Sequence, residues 1–265
     1  TIVPDMAPRP SRPVQLEGAR GPLSVQQSKA ILARLESRGQ ETSIFERHLA
    51  LEESISGSPL VTGNKVTLLQ DGPATYQAMF DAIRGAERHI DVETYIIEDD
   101  EVGNRFADAL IEKQARGVQV SLLYDSVGSM NTPRAFFRRL ADNGVKVLEY
   151  NPINPLTVAK GWDVNQRDHR KLLVVDGRTA FLGGINISSV YSGGSFSQAS
   201  KQRPDGSLPW RDTHLRVEGP VVADFQALFL ASWEKQKGEV QARSGPLPVP
   251  PARGKEVVRA IGSSP

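Results

Sequence analysis

Cysteine is absent from this chain of 265 residues, which excludes disulfides and thiolate metal sites and says little about compartment. No apolar run approaches the roughly 18 residues that a membrane helix needs. The first residue is Thr and the opening segment lacks a signal-peptide pattern, so any leader is expected to have been removed or never present. An excess of charge is missing too: 32 basic and 31 acidic side chains leave a net charge of +1. No global field therefore draws the chain to nucleic acid or anionic lipid. Histidine is scarce, with 4 residues, and only His169 opens a His-x-Lys triplet; His48, His89 and His214 precede Leu, Ile and Leu. The length is enough to bury one large core or two small ones.

What is present is concentrated between Asn165 and Asn186, N-Q-R-D-H-R-K-L-L-V-V-D-G-R-T-A-F-L-G-G-I-N. Leu172 to Val175 and Thr179 to Leu182 are short apolar runs flanking Asp176-Gly177, a strong hairpin signal. With that pair as the turn, Val175 is expected to oppose Arg178, Leu172 to oppose Phe181, and His169 to oppose Gly184. His169 and Lys171, two apart, project from one face, and the hairpin returns Asn186 to their end. Asp176 lies about 23 Å from His169 along an extended strand, too far to orient its imidazole. The expected cluster is His169, Lys171 and Asn186, with a turn aspartate at the far end. An imidazole, a fixed cation and an amide suit an anionic centre such as a phosphodiester. From spacing alone, a lone histidine at a strand end remains the competing interpretation.

The run H-R-K-L-L-V-V-D-G-R-T-A-F-L-G-G-I-N resembles the signature of the phospholipase D superfamily, H-x-K-x4-D-x6-G-[SG]-x-N. His169, Lys171, Asp176, Gly183 and Asn186 fall on its positions. Trp210 to His214, followed by Leu-Arg-Val-Glu-Gly-Pro, and the upstream Glu93 to Asp100 resemble the cardiolipin-synthase-like branch. The resemblance covers about residues 65–237. Gly184 stands where many members carry Ser, which fits that branch and costs one hydroxyl donor. The superfamily builds one site from two such motifs, and this chain has one. It is therefore expected to be half of a site, completed by a second copy or by a C-terminal half.

Taken in order, residues 1–22 carry five prolines and read as an extended arm. Ser24 to about Arg38 reads as a capped helix and Thr42 to Ser56 as a second. From Lys65 strands and helices alternate: strand Lys65–Leu69, helix Asp71–Arg88, strand His89–Ile97, helix Glu101–Arg116, strand Val118–Tyr124, helix Thr132–Asn143, strand Val145–Tyr150. Strand Arg211–Val217 and a helix from Gly219-Pro220 to about Lys237 follow. The expected fold class is α/β, a mixed, mainly parallel sheet with helices on both faces, a phospholipase D-like α/β/α sandwich with an N-terminal helical extension. Three regions are expected: 1–63, an arm plus two helices; 64–243, the catalytic half-domain; 244–265, a Pro-rich linker and the first strand of a second half.

The resemblance also assigns roles. Asp212, on the strand after the motif, matches the acidic residue that often orients the histidine of the superfamily. His169, Lys171 and Asp212 are the catalytic candidates, Lys171 and Asn186 the phosphate-binding ones, and Asp176, Gly183 and Gly184 the structural ones. Glu93, Arg211 and His214 are candidate cleft residues, whereas Asp163, Arg167 and Asp168 read as loop solvation. The implied reaction is attack of His169 on a phosphodiester to form a phosphohistidine, resolved by water or by an acceptor alcohol, with no metal or other cofactor. The implied partners are a phospholipid at a membrane surface and a second catalytic half, with nucleic acid less favoured. A periplasmic, secreted or membrane-peripheral bacterial setting is preferred to the cytoplasm. Phospholipase D-type hydrolysis or phosphatidyl transfer is the leading expectation. Cardiolipin synthesis proper, a homodimeric one-motif nuclease, and a non-catalytic phosphate-binding half are the alternatives.

Overall fold

Strand β4 (His89–Thr94) is buried at every position, as befits a strand in the interior of the sheet. The computed structural model describes residues 14–36, 57–152, 167–192, 212–238 and 249–262. Within them the strands are β1 (Glu17–Gly18), β2 (Gly21–Pro22), β3 (Val61–Gln70), β4, β5 (Gln119–Asp125), β6 (Lys146–Tyr150), β7 (Leu172–Val175), β8 (Thr179–Gly183), β9 (Thr213–Glu218) and β10 (Glu256–Val258). The helices are α1 (Val25–Glu36), α2 (Asp71–Arg84), α3 (Glu101–Ala115), α4 (Arg134–Asp142) and α5 (Val222–Lys235). The second helix expected over 42–56 lies outside the described residues. Among those described, no helix is long and apolar enough to cross a membrane.

The strand order is β2-β1-β3-β9-β8-β7-β4-β5-β6, with β10 pairing β3. The α/β class and the mixed sheet are as expected, but the sheet is not mainly parallel. Parallel pairing occurs at β1–β3, β4–β5 and β5–β6, and the remaining joints are antiparallel. The reason is connectivity: helical crossovers link β4 to β5 and β5 to β6, whereas the β7–β8 hairpin and its continuation into β9 impose antiparallel neighbours. Within the arm, Glu17 to Pro22 forms the β1–β2 hairpin rather than remaining purely extended. The strand expected over Glu256 to Ile261 as the opening of a second half is Glu256–Val258, which joins β3 of the same sheet.

Two apolar layers cover the sheet. On one face Ile90, Val92, Leu122, Leu173, Val175 and Phe181 meet α2, α3 and α4. On the other, Leu123, Leu172, Val174, Ala180 and Val217 meet Phe225, Phe229 and Trp233 of α5. Each fully buried aliphatic or aromatic side chain contributes about 1.5–3 kcal/mol, so this double coverage is what holds the hairpin rigid. The second face is not wholly apolar. His89, Asp91 and Glu93 of β4 point towards α5, where the Gln226 amide lies 2.8 Å from His89 Nε2 and donates to Asp91 Oδ2 at 2.7 Å. Those contacts satisfy polar groups that would otherwise make the layer costly.

Candidate active site

The hairpin turns at Asp176-Gly177 as expected, with a register one residue away from the expected one. Asp176 (φ 54°) and Gly177 (φ 63°) are both left-handed, and Arg178 N donates to Val175 O at 2.9 Å, a type I′ turn. Arg178 is then an extra residue: Val175 pairs with Thr179 and Leu172 with Leu182. The Asp176 carboxylate accepts from the backbone N–H groups of Glu87, Arg88 and His89 at 3.0, 2.8 and 3.0 Å. It ties the turn to the start of β4, at the end of β7 opposite the histidine. Continued past Leu172–Leu182, this register sets Lys171 opposite Gly183 and His169 opposite Ile185.

At the other end of β7 the Lys171 ammonium lies 3.0 Å from His169 Nδ1 and donates to the His169 carbonyl at 2.7 Å. Tyr95, just beyond β4, roofs both: its ring centroid is 4.4 Å from that of His169 and 5.3 Å from Lys171 Nζ. His169 is exposed and Lys171 buried, so the imidazole meets solvent while the cation stands behind it. Partial burial, then the Lys171 charge, lowers the His169 pKa against the opposing pull of Asp125 and Asp168, which keeps the ring neutral at neutral pH. Burial lowers Lys171 to about 8, with Asp168 and Asp212 resisting, so it remains mostly charged at pH 7. With the ammonium as donor, Nδ1 accepts and the ring proton sits on Nε2.

The other expected site residues divide. Asp212 makes no hydrogen bond to His169: its carboxylate accepts from Thr213 N at 2.7 Å and acts electrostatically on Lys171. It lies over Gly184, where a Cβ would overlap it, so the glycine makes room for the carboxylate. Asn186 does not join the His169–Lys171 pair. Its Oδ1 accepts from Ile96 N at 3.2 Å and its Nδ2 donates to Tyr191 Oη at 3.0 Å, fixing the segment after Tyr95. Arg211 lies outside the described residues.

Glu93 is not in the cleft. Strand alternation sends it to the opposite face, where Arg170 Nη2 is 3.4 Å from its Oε1 and donates to Ser232 Oγ of α5 at 2.6 Å. Burial, then the neighbouring Asp168, pushes the Glu93 carboxyl well above the usual range, opposed by Arg170. Asp168 and Arg167 are not loop solvation either. Asp168 is buried, accepts from Arg170 N at 3.1 Å and pairs with Arg170 Nε at 3.3 Å. Its own N–H donates to Asp125 Oδ2 at 3.1 Å, and Arg167 donates to Ser126 Oγ at 3.0 Å. Asp163 lies outside the described residues.

Sequence reasoning missed Tyr95, Asp125, Asp168 and Arg170. Asp125 ends β5 directly beside the histidine segment, and the only local signal was its place at a strand's carboxyl end. Tyr95 was visible within Glu93 to Asp100 but had no assigned task. Together the side chains form a cluster with a neutral, solvent-facing imidazole, a buried ammonium against it, an aromatic roof and carboxylates behind. Such a constellation can grip an oxyanion and attack or protonate it.

Comparison with known proteins identifies the family. The family described as "Cardiolipin synthase, PLD-like domain" matches residues 79–192. Cardiolipin synthase A of Pseudomonas fluorescens is 40% identical over 179 residues, covering 66% of this chain and 34% of that protein. Cardiolipin synthase 1 of Bacillus anthracis is 36% identical over 217 residues, covering 79% of this chain and 40% of that protein. Among solved structures, the phosphatidylserine synthase of Haemophilus influenzae is 18% identical, with a TM-score of 0.49 over 75% of this chain and 42% of that one. The chain thus spans well under half the length of the curated relatives it matches. It belongs to the phospholipase D superfamily, on the cardiolipin-synthase-like branch.

Proposed function

We propose that this chain supplies one half of a phosphatidyl-transfer site in which a lipid alcohol is the acceptor, as in cardiolipin synthesis. The observation that carries the reading is the Lys171 ammonium held 3.0 Å from His169 Nδ1 under Tyr95. Its support from relatives is that several proteins sharing this segment are named cardiolipin synthases.

In the resting arrangement Lys171 occupies Nδ1 and the proton on Nε2 blocks attack from that nitrogen. A phosphodiester oxygen competes for the ammonium. As Lys171 turns to that oxygen, Nδ1 is released to take up a proton from solvent and Nε2 gives one up. Nε2 then attacks phosphorus, the P–N bond forms, and the leaving alcohol takes its proton from a second histidine of the completing half. An acceptor alcohol, deprotonated by that same histidine, attacks the phosphohistidine and returns His169. Lys171 neutralises charge on the non-bridging oxygens throughout. Asn186 holds the Tyr95–Ile97 segment in place through Ile96. The completing half is a second copy of this chain or a further segment.

Hydrolysis is the second reading, favoured by the exposure of His169 to water. Incubation with phosphatidylglycerol, phosphatidylcholine and single-stranded DNA in EDTA separates the readings. Cardiolipin and glycerol from phosphatidylglycerol support transfer, and phosphatidic acid supports hydrolysis. DNA cleavage alone indicates a nuclease, and no turnover of any substrate indicates a binding module. His169→Asn is expected to abolish turnover without lowering the melting temperature.

A further inference from the structure

The buried imidazole of His214 lies close to the half-site and has no task in the mechanism above. His214 is 1% exposed on β9, and neither ring nitrogen has a hydrogen-bond partner among the described residues. Its cross-strand partner is Gly183, and Gly183 faces Lys171 one step beyond the Leu172–Leu182 pair. Residues directly opposite in adjacent strands share a face, so Lys171, Gly183 and His214 form one row. The middle member has no side chain. A Cβ on Gly183 would lie 2.8 Å from His214 Nδ1, so the imidazole occupies the space that a larger residue would fill. With strands spaced about 4.8 Å apart, Lys171 and His214 start roughly 10 Å apart and reach towards each other over the glycine. That separation accommodates a tetrahedral phosphoryl group between an extended lysine and a ring.

We propose that His214 is a further phosphoryl ligand of this half-site, its neutral imidazole donating a hydrogen bond to a non-bridging oxygen of the phosphodiester gripped by Lys171. The proposal rests on the phosphoryl-transfer reading above and adds a residue to it. Burial, then the Lys171 charge, lowers the His214 pKa to about 4, so the ring donates one N–H without adding a second buried cation. Packing alone does not account for the residue. An apolar ring of similar volume would fill the space without leaving two desolvated nitrogens unsatisfied.

The test is calorimetric titration of the chain with tungstate, a tetrahedral oxyanion, on wild type, Lys171→Met, His214→Phe and His214→Gln. Wild type binds and Lys171→Met does not. His214→Phe is expected to weaken binding about 10-fold, as loss of one hydrogen bond to a charged acceptor does. His214→Gln, which keeps an N–H donor, should recover most of that loss. Removing the unsatisfied nitrogens should leave the His214→Phe melting temperature at or above wild type. Should His214→Phe fold poorly, His214→Met provides a flexible apolar replacement for the same titration. Tungstate binding by the apolar variant as tight as by wild type overturns the proposal while leaving the phosphoryl reading standing. A wild-type chain that ignores tungstate overturns both.

Discussion

Replacing Asp176 by asparagine separates the two ends of the hairpin. The carboxylate accepts three backbone N–H groups, two at Oδ1 from Arg88 and His89 and one at Oδ2 from Glu87. Asparagine keeps one acceptor oxygen for the first two and turns an NH2 towards the third, donor against donor. Hydrogen bonds to a charged group are worth about 1.5–3 kcal/mol, against roughly 1 for neutral pairs. One bond of the stronger kind is lost and two are weakened, a destabilisation of about 3 kcal/mol. Asparagine tolerates the left-handed backbone at this position, so little strain is added. For a chain of this size that corresponds to a fall in melting temperature of roughly 6–12 °C. His169 stands at the opposite end of the strand, about 23 Å away along the extended chain. The folded variant should therefore keep most of its turnover at 20 °C. Circular dichroism melts and turnover of phosphatidylglycerol on one preparation read both quantities. An unchanged melting temperature with abolished turnover would falsify the assignment of Asp176 to the turn alone.

Three further outcomes follow from the site. The alkaline limb of kcat/KM should fall near pH 8, where Lys171 loses its proton, rather than at the ordinary 10.5. The acid limb should lie below the usual histidine range because the His169 pKa is lowered, and Lys171→Arg should move only the alkaline limb upward. Gly184→Ser places a Cβ in the space of the Asp212 carboxylate and should reduce kcat with little change in melting temperature. An unaltered kcat would show that Asp212 has no influence through Lys171. Arg170→Lys removes the fork that joins Asp168, Glu93 and Ser232 and should lower kcat by up to about 100-fold through misplacement of His169. Loss of stability with kcat intact would confine Arg170 to a structural role.

Much of this site was legible locally. The Asp-Gly pair between two apolar runs specified the turn, and alternation put His169 and Lys171 on one face of their strand. Both are short-range effects of turn chemistry and strand period, so they survive without knowledge of the neighbours. The rise per residue of an extended strand, which separates Asp176 from the histidine, is equally local. Strand order was not legible: neither the pairing of β7 with β4 nor the prevalence of antiparallel joints has a local signature. Sheet order decided that Tyr95 roofs the lysine, that Asp125 joins Asp168 in acting on His169 where Asp212 does not, and that Glu93 lies behind the sheet. It also brought His214 alongside Gly183, through a pairing across more than 30 residues of sequence. Backbone pattern fixes which side of its own strand a residue occupies. Only long-range packing of the two apolar layers fixes which other strands lie beside it.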